Sequence, residues 1–248
     1  MSTRELLVRG ARVVTPEGLR PASLRVLGGR IAAVGAREEP AGGAEVLEFG
    51  DAVLLPGLVD THVHVNDPGR AEWEGFPCAT RAAAAGGVTT LFDMPLNSVP
   101  PTTTVAGLKV KLEAAAGRCL VDVGFWGGLL PDNLGELETL VAHGVPGVKC
   151  FLAPSGVPEF PHVTEAHLRK ALPVLSSAGA VLLAHAELPE RLRALASDPR
   201  DYAAYLASRP RAAENEAVEL LARLCRETGA AIHIVHLSSA DALPVLER

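Results

Sequence analysis

Cysteine is scarce in this sequence, which has four among its 248 residues: Cys78, Cys119, Cys150 and Cys225. They lie far apart and form no C-x-x-C pair, which argues against a dense disulfide framework. This spacing favours reduced thiols in a cytoplasmic protein.

The sequence also lacks long apolar runs and an excess of basic residues. Its longest apolar runs, such as residues 180–184, are far shorter than the roughly 20 residues that span a bilayer. The first nine residues contain no apolar core of an export signal. With a formal net charge of −6, the chain gives no reason to expect nucleic acid or a membrane as partner.

What the sequence does contain is a large apolar fraction, arranged in two different patterns. Hydrophobic residues make up 48%, enough for a substantial core. Residues 5–55 form short strand-like segments interrupted by glycine and proline, which predicts a small β unit. After Pro56, strand-like segments alternate with amphipathic helical stretches, which predicts βα units around a parallel sheet.

The second pattern predicts a barrel. Its strands are expected at Leu58–Val65, Val88–Met94, Val121–Trp126, Gly147–Leu152, Ala180–His185 and Ala231–Leu237. Helices are expected near 75–85, 105–116, 133–143, 164–178 and 212–228. A complete barrel needs eight strands and usually about 250 residues. We therefore predict an α/β fold in which residues 56–248 form a (βα)8 TIM-type barrel that stops after about six strands.

Histidines stand at the predicted carboxyl ends of three of these strands. His62 and His64 share one face of the first strand, because side chains two residues apart on a strand point the same way. His185 and His236 close two later strands, whereas His233 faces away from His236 on a regular strand. Because barrel enzymes work at the carboxyl ends of their strands, these histidines, His233 excepted, are candidate metal ligands.

Lys149 lies inside the fourth predicted strand, where an ammonium ion is costly to bury unless it is paired. A buried ion pair, or a side chain that reaches solvent, would explain it. Alternatively, burial keeps the amine neutral, so that it adds carbon dioxide and becomes a carbamate able to bridge two cations. The position of Lys149 among the histidines favours this second explanation.

Several short segments, in order along the whole chain, carry a resemblance to a known family. They are Pro56–His64, Gly86–Thr90, Gly147–Leu152, His185–Glu187, Ser208–Pro210 and His236–Ser239. They resemble the cyclic amidohydrolases, which include dihydroorotases, hydantoinases (dihydropyrimidinases) and allantoinases. By that resemblance His62 and His64 would hold one divalent metal ion and His185 and His236 a second, with carbamylated Lys149 as the bridge. Zinc is the default metal.

The resemblance also implies an architecture and a mechanism. It implies a small β-sandwich portion that includes residues 1–55, beside a hydrolase barrel over residues 56–248, and a homo-oligomer, specifically a tetramer. The two ions would polarise the carbonyl of a cyclic amide and lower the pKa of a water from about 15.7 towards 7. The family's general base is an aspartate on the eighth strand, beyond Arg248, so we expect residues 1–248 alone to be inactive.

The loops that follow the strands favour allantoin, opened to allantoate in purine degradation, as the substrate. Asn66 stands where dihydroorotases have the arginine that grips a carboxylate. Pro154 stands where hydantoinases commonly have a tyrosine that polarises the ring carbonyl. Three loops are similar to those of allantoinases: Asn66–Phe76, Asp93–Ser98 and Ser155–Phe160. Within them, Asn97 and Ser155 are candidate contacts to the substrate's carbonyls or ureido nitrogens.

Other functions stay open. Hydantoinase (dihydropyrimidinase) or dihydroorotase activity could replace allantoin opening. A non-catalytic relative could keep the barrel for assembly, although such relatives lose metal ligands and this sequence retains its candidates. A mononuclear deaminase would use the paired histidines but would leave Lys149 without a role. A count of none, one or two metal ions would separate these classes.

Overall fold

The computed structural model describes residues 5–195, 198 and 200–248. Contacts between residues divide the chain into two compact units, Met1–Leu58 and Val59–Arg248. The boundary predicted after residue 55, with a sandwich portion on one side and a barrel on the other, stays a prediction.

The first unit is a five-stranded sheet. Its strands are β1 (Leu6–Thr15), β2 (Gly18–Leu27), β3 (Arg30–Gly35), β4 (Glu45–Glu48) and β5 (Val53–Leu54). The order is β3-β2-β1-β4, and β5 pairs with β1 beyond the end of β4. Pairing is antiparallel from β1 to β3 and parallel between β1 and both β4 and β5. This agrees with the predicted small β unit, while a second layer that would complete a sandwich stays a prediction.

The strands of the second unit form two further sheets. The first contains β6 (Leu58–Val63), β7 (Val88–Asp93) and β8 (Asp122–Phe125), in that order. The second contains β12 (Ile232–Ile234), β11 (Val181–His185), β10 (Gly147–Phe151) and β9 (Gly127–Gly128). The pairs β7–β8, β9–β10, β10–β11 and β11–β12 are parallel. The predicted strands are all present, and β9 is an addition.

These two sheets are open in the part of the chain that the structure describes. Strands β6 and β12 lie at sheet edges, and β8 and β9, separated by Trp126, belong to different sheets. A barrel closes only when strand pairing continues around the whole ring. Over the described residues the predicted barrel is therefore present as two βα sheets and not as a closed ring. Single backbone hydrogen bonds continue beyond the ladders, such as Trp126 N to Asp93 O at 3.0 Å and Leu129 N to Lys149 O at 2.9 Å.

Helices alternate with these strands, as the sequence predicts. They are α1 (Phe76–Ala85), α2 (Val105–Ala115), α3 (Leu137–Ala142), α4 (Glu165–Ser177), α5 (Tyr202–Ser208), α6 (Arg211–Thr228) and α7 (Leu243–Leu246). The periodicity missed α5 and α7, both of which are shorter than the roughly three turns typical of helices. Among the described residues, no helix combines the length and hydropathy needed to cross a bilayer.

The core lies between the strands and the helices, as expected for βα units. Helix α6 buries Ala213, Ala217, Val218, Leu221 and Leu224, which recur at helical spacing on one face. Four of them, all but Ala213, belong to one apolar cluster with residues of β10 and β11, including Val148, Cys150 and Leu182. This packing fixes the strands at whose carboxyl ends the candidate site lies.

Candidate metal centre

The predicted histidines converge at the carboxyl ends of three strands. His62 and His64 stand at the end of β6, His185 is the last residue of β11, and His236 follows β12 by two residues. Ring centroids are 5.5 Å apart for His62–His64, 5.4 Å for His62–His236 and 5.0 Å for His185–His236. The four imidazoles therefore form a continuous chain of neighbours that crosses from one sheet to the other.

Lys149 is buried beside this chain of rings. Its side chain is 1% exposed, and its Nζ lies 4.7 Å from the centroid of the Phe151 ring. The Phe151 ring in turn stacks on His185 at 4.9 Å. Within the described part of the chain, Nζ has no hydrogen-bond partner. No carboxylate among the described residues pairs with this lysine, which argues against a buried ion pair. Its burial argues against a side chain that reaches solvent.

The electrostatics of the site favour neutral imidazoles at His62, His64 and His236 and bring the Lys149 amine closer to its neutral form. Burial lowers the pKa of Lys149 from 10.5 to about 8. Burial is also the largest cause that lowers the pKa values of His62, His64 and His236 to about 4, with the positive charge of Lys149 contributing to each. Neutral imidazole is the form of histidine that binds metal ions.

These residues fit a divalent metal through their chemistry. Over residues 5–195, 198 and 200–248, no group of three His, Cys, Asp or Glu side chains is arranged to hold an ion by itself. The ligand set therefore needs a further donor, and Lys149 is the neighbouring candidate among the described residues. Two nitrogens of the cluster, His64 Nδ1 and Lys149 Nζ, are buried without a partner. Buried polar atoms without partners are costly unless a ligand satisfies them.

A carboxylate that the sequence analysis did not single out contacts the cluster. Glu187 Oε2 lies 2.5 Å from His185 Nε2 and 2.7 Å from Arg209 Nη1. Arg209 also lies over the Tyr205 ring, at 5.7 Å. The Arg209 guanidinium therefore reaches a neighbour of a candidate metal ligand. The sequence feature that pointed to Arg209 was the Ser208–Pro210 segment, which carries part of the family resemblance.

A cavity of about 620 Å³ opens beside His185 and His236, and its lining includes Ser155, Phe151 and Arg209. Ligand pockets for small molecules are typically about 300–1,000 Å³. A larger cavity of about 870 Å³ lies along α4 and α6 and contains none of the candidate ligands. The cavity next to the histidines is therefore the candidate substrate pocket.

The two candidate substrate contacts lie on loops that are held by hydrogen bonds. The Ser155 hydroxyl donates to the Phe160 carbonyl at 2.6 Å and accepts from the Val157 amide at 3.1 Å, so it holds its own loop while lining the cavity. Asn97 has φ of 69°, and its carbonyl accepts from Arg70 Nη1 at 3.0 Å. A direct contact of either side chain with substrate stays a prediction.

Residues 53–247 match the Amidohydrolase family, and the chain belongs to that family, which confirms the resemblance found in the sequence. The chain is 53% identical to "Allantoinase" of Streptomyces avermitilis, over 99% of this chain and 56% of that protein. It is 46% identical to "Allantoinase, mitochondrial" of Aquarana catesbeiana, over 98% of this chain and 50% of that protein. The chain thus spans about half the length of the curated relatives it matches.

A solved structure supports the fold. The L-hydantoinase (dihydropyrimidinase) from Arthrobacter aurescens superposes with a TM-score of 0.89 at 31% identity, over 97% of this chain and 54% of that one. Together with the family match, this similarity indicates a TIM-barrel-like α/β fold.

Proposed function

We propose that the full-length protein, meaning this chain with any sequence that accompanies it, opens the ring of allantoin to allantoate as a metal-dependent amidohydrolase of purine degradation. The convergence of four imidazoles next to a buried, unpartnered lysine carries this proposal. The relatives named allantoinase, at 46–53% identity, support the choice of substrate.

The ligand roles are those that the family resemblance implies. His62 and His64 would hold one ion, His185 and His236 a second, and Lys149 would bridge them after modification. In that modification the neutral Nζ forms a bond to the carbon of carbon dioxide and releases one proton, which leaves a carbamate anion with two donor oxygens. When bound, the two divalent ions, with zinc as the default, polarise the ring carbonyl and acidify a water molecule.

The chain's own residues prepare the site for that chemistry. Burial holds the Lys149 amine in reach of its neutral form, with a pKa of about 8. The Phe151 ring contacts the amine and stacks on His185. Arg70 pairs with Glu159 and binds the Asn97 carbonyl, so it connects the loops after β6, β7 and β10. We propose that this frame presents Asn97 and Ser155 to the ring's carbonyls or ureido nitrogens.

The finer architectural expectations are part of the same proposal. They are a (βα)8 barrel, a β-sandwich portion that includes residues 1–55, a general-base aspartate outside residues 1–248 and a tetrameric assembly. The similarity to a hydantoinase supports the barrel. We also keep the cytoplasm as the proposed location, and fractionation of the source cells tests it, since one relative carries the word mitochondrial in its name.

Hydantoinase activity is the second candidate, because the solved relative that superposes at a TM-score of 0.89 is a hydantoinase. Its identity of 31% is well below the 53% shared with an allantoinase. Pro154 also offers no donor where hydantoinases commonly carry a tyrosine. Both observations rank allantoin first.

Ring opening by the full-length, zinc-loaded protein should be measured on allantoin, hydantoin, dihydrouracil and dihydroorotate side by side. We expect kcat/KM for allantoin to exceed that for each of the others by about 100-fold or more, because a site built for a ureido group leaves buried polar atoms unpaired with analogues that lack it. A higher kcat/KM for dihydroorotate or hydantoin than for allantoin would overturn the substrate assignment.

A further inference from the structure

One short segment, Ser208–Glu214, contacts the loops that follow both β11 and β12. On the β11 side, Leu188 N donates to Ala213 O at 2.9 Å and Arg193 N donates to Ser208 O at 2.9 Å. On the β12 side, the Glu214 carboxylate accepts from two consecutive backbone amides. The first of these loops directly follows His185, and the second contains His236.

Glu214 holds the turn that follows His236. Its Oε1 accepts from Ser238 N at 2.8 Å and its Oε2 from Ser239 N at 2.6 Å. Hydrogen bonds to an ionised carboxylate are about twice as strong as neutral ones. His236 itself has φ of 40°, a backbone conformation that a non-glycine residue keeps only when its surroundings enforce it. The two hydrogen bonds that Glu214 accepts from Ser238 N and Ser239 N supply such enforcement two and three residues after His236.

Arg209 acts on the other histidine through Glu187. The guanidinium pairs with Glu187 Oε2 at 2.7 Å, and the same oxygen lies 2.5 Å from His185 Nε2. With Nε2 engaged, Nδ1 is the ring nitrogen left to bind an ion. Carboxylates that bond the far nitrogen of a ligand histidine fix its tautomer and its orientation.

The first pair of histidines is held by other groups. The backbone after His64 is fixed by Asp93, whose Oδ1 accepts from Val65 N at 2.8 Å. Asp93 is in turn bound by Lys111 on α2. The segment Ser208–Glu214 makes none of these bonds, so the two pairs of histidines have separate supports in the described part of the chain.

We propose that Arg209 and Glu214 are positioning residues that set His185 and His236 for one of the two ions, independently of His62 and His64. This inference rests on the proposed function. It implies that substitutions at Arg209 or Glu214 weaken the binding of one ion selectively and leave the other ion bound.

The test is a chelator-competition titration of zinc or cobalt on the full-length protein and on Glu214→Gln and Arg209→Met variants. Glu219→Gln is the matched control for the first, because Glu219 is exposed on the same helix. Arg191→Met is the control for the second, because Arg191 pairs with Glu216 at the surface. We expect each test variant to bind one ion as tightly as wild type and the other about 10–100-fold more weakly. Arg209→Lys, which restores a cation beside Glu187, should recover part of the loss.

Thermal unfolding of the metal-free proteins is the second readout, and we expect each test variant to unfold within about 4 °C of its control, the shift that a loss of about 1 kcal/mol produces. Three results would overturn the inference: both ions bound as in the control, both ions weakened equally, or a metal-free test variant that unfolds at a clearly lower temperature. A wild-type protein that binds no metal would overturn the proposed function as well. This failure is distinguishable, because it shows in the wild-type titration alone, without any variant.

Discussion

Replacing Lys149 with methionine should remove bound metal and activity while leaving the fold intact. Methionine fills a similar volume and carries no amine, so it cannot become a carbamate. We expect ring-opening activity to fall by on the order of 10³-fold or more, the scale of losing one strong electrostatic stabiliser of a transition state. Stability of the metal-free protein should stay equal or rise, because the wild-type Nζ is buried without a partner.

Metal content and turnover of the Lys149→Met protein measure the expected loss, and urea unfolding measures whether its stability is retained. Lys170→Met is the matched control, since Lys170 is exposed on α4 and should change none of the three. If the Lys149→Met protein kept two ions and wild-type turnover, Lys149 would be a structural residue and the bridge would have to be another group.

The second large effect is expected at Lys111, which lies on α2 and is fully buried. Its Nζ donates to Asp93 Oδ2 at 2.6 Å and to the Met94 carbonyl at 3.0 Å, and both side chains are at most 1% exposed. Burial works against both charged forms, lowering the pKa of Lys111 and raising the pKa of Asp93. Lys111→Met should therefore lower the free energy of unfolding by about 3–5 kcal/mol, because it leaves a buried carboxylate without its partner.

Chemical unfolding of the metal-free, full-length protein measures this change. Lys109→Met is the control, because Lys109 is exposed on the same helix and should shift the free energy by no more than about 0.5 kcal/mol. The double variant Lys111→Met with Asp93→Asn should regain much of the loss, because no charge is left buried and the amide oxygen still accepts from Val65 N. A loss below about 1 kcal/mol for Lys111→Met would show that the pair contributes little.

The sequence predicted the features that depend on local periodicity. The alternation of strands and helices is local, and so is the shared face of His62 and His64, since it follows from a period of two residues. The burial of Lys149 followed from its apolar neighbours in β10. These features are sufficient to place the four histidines at strand ends from the sequence alone.

Contacts between distant residues were not predictable in the same way. Lys111 and Lys109 look alike in the sequence, and only the fold brings one of them to Asp93, 18 residues away. Glu214 reaches amides 24 and 25 residues downstream, and Arg209 reaches a carboxylate 22 residues upstream. Strand β9 consists of two glycines, so no side-chain pattern in the sequence indicates a strand there. Only the fold shows that a Cβ at Gly128 would lie 2.7 Å from the Phe160 ring.

The most direct test of the account is the number of zinc ions bound per chain by the full-length protein, reconstituted with and without bicarbonate. The account predicts two ions per chain with bicarbonate and a clear loss of metal when carbon dioxide is excluded, because the bridging group forms from Lys149 and carbon dioxide. No bound metal would instead indicate a non-catalytic relative. One ion per chain, unaffected by carbon dioxide, would indicate a mononuclear site and contradict the role assigned to Lys149.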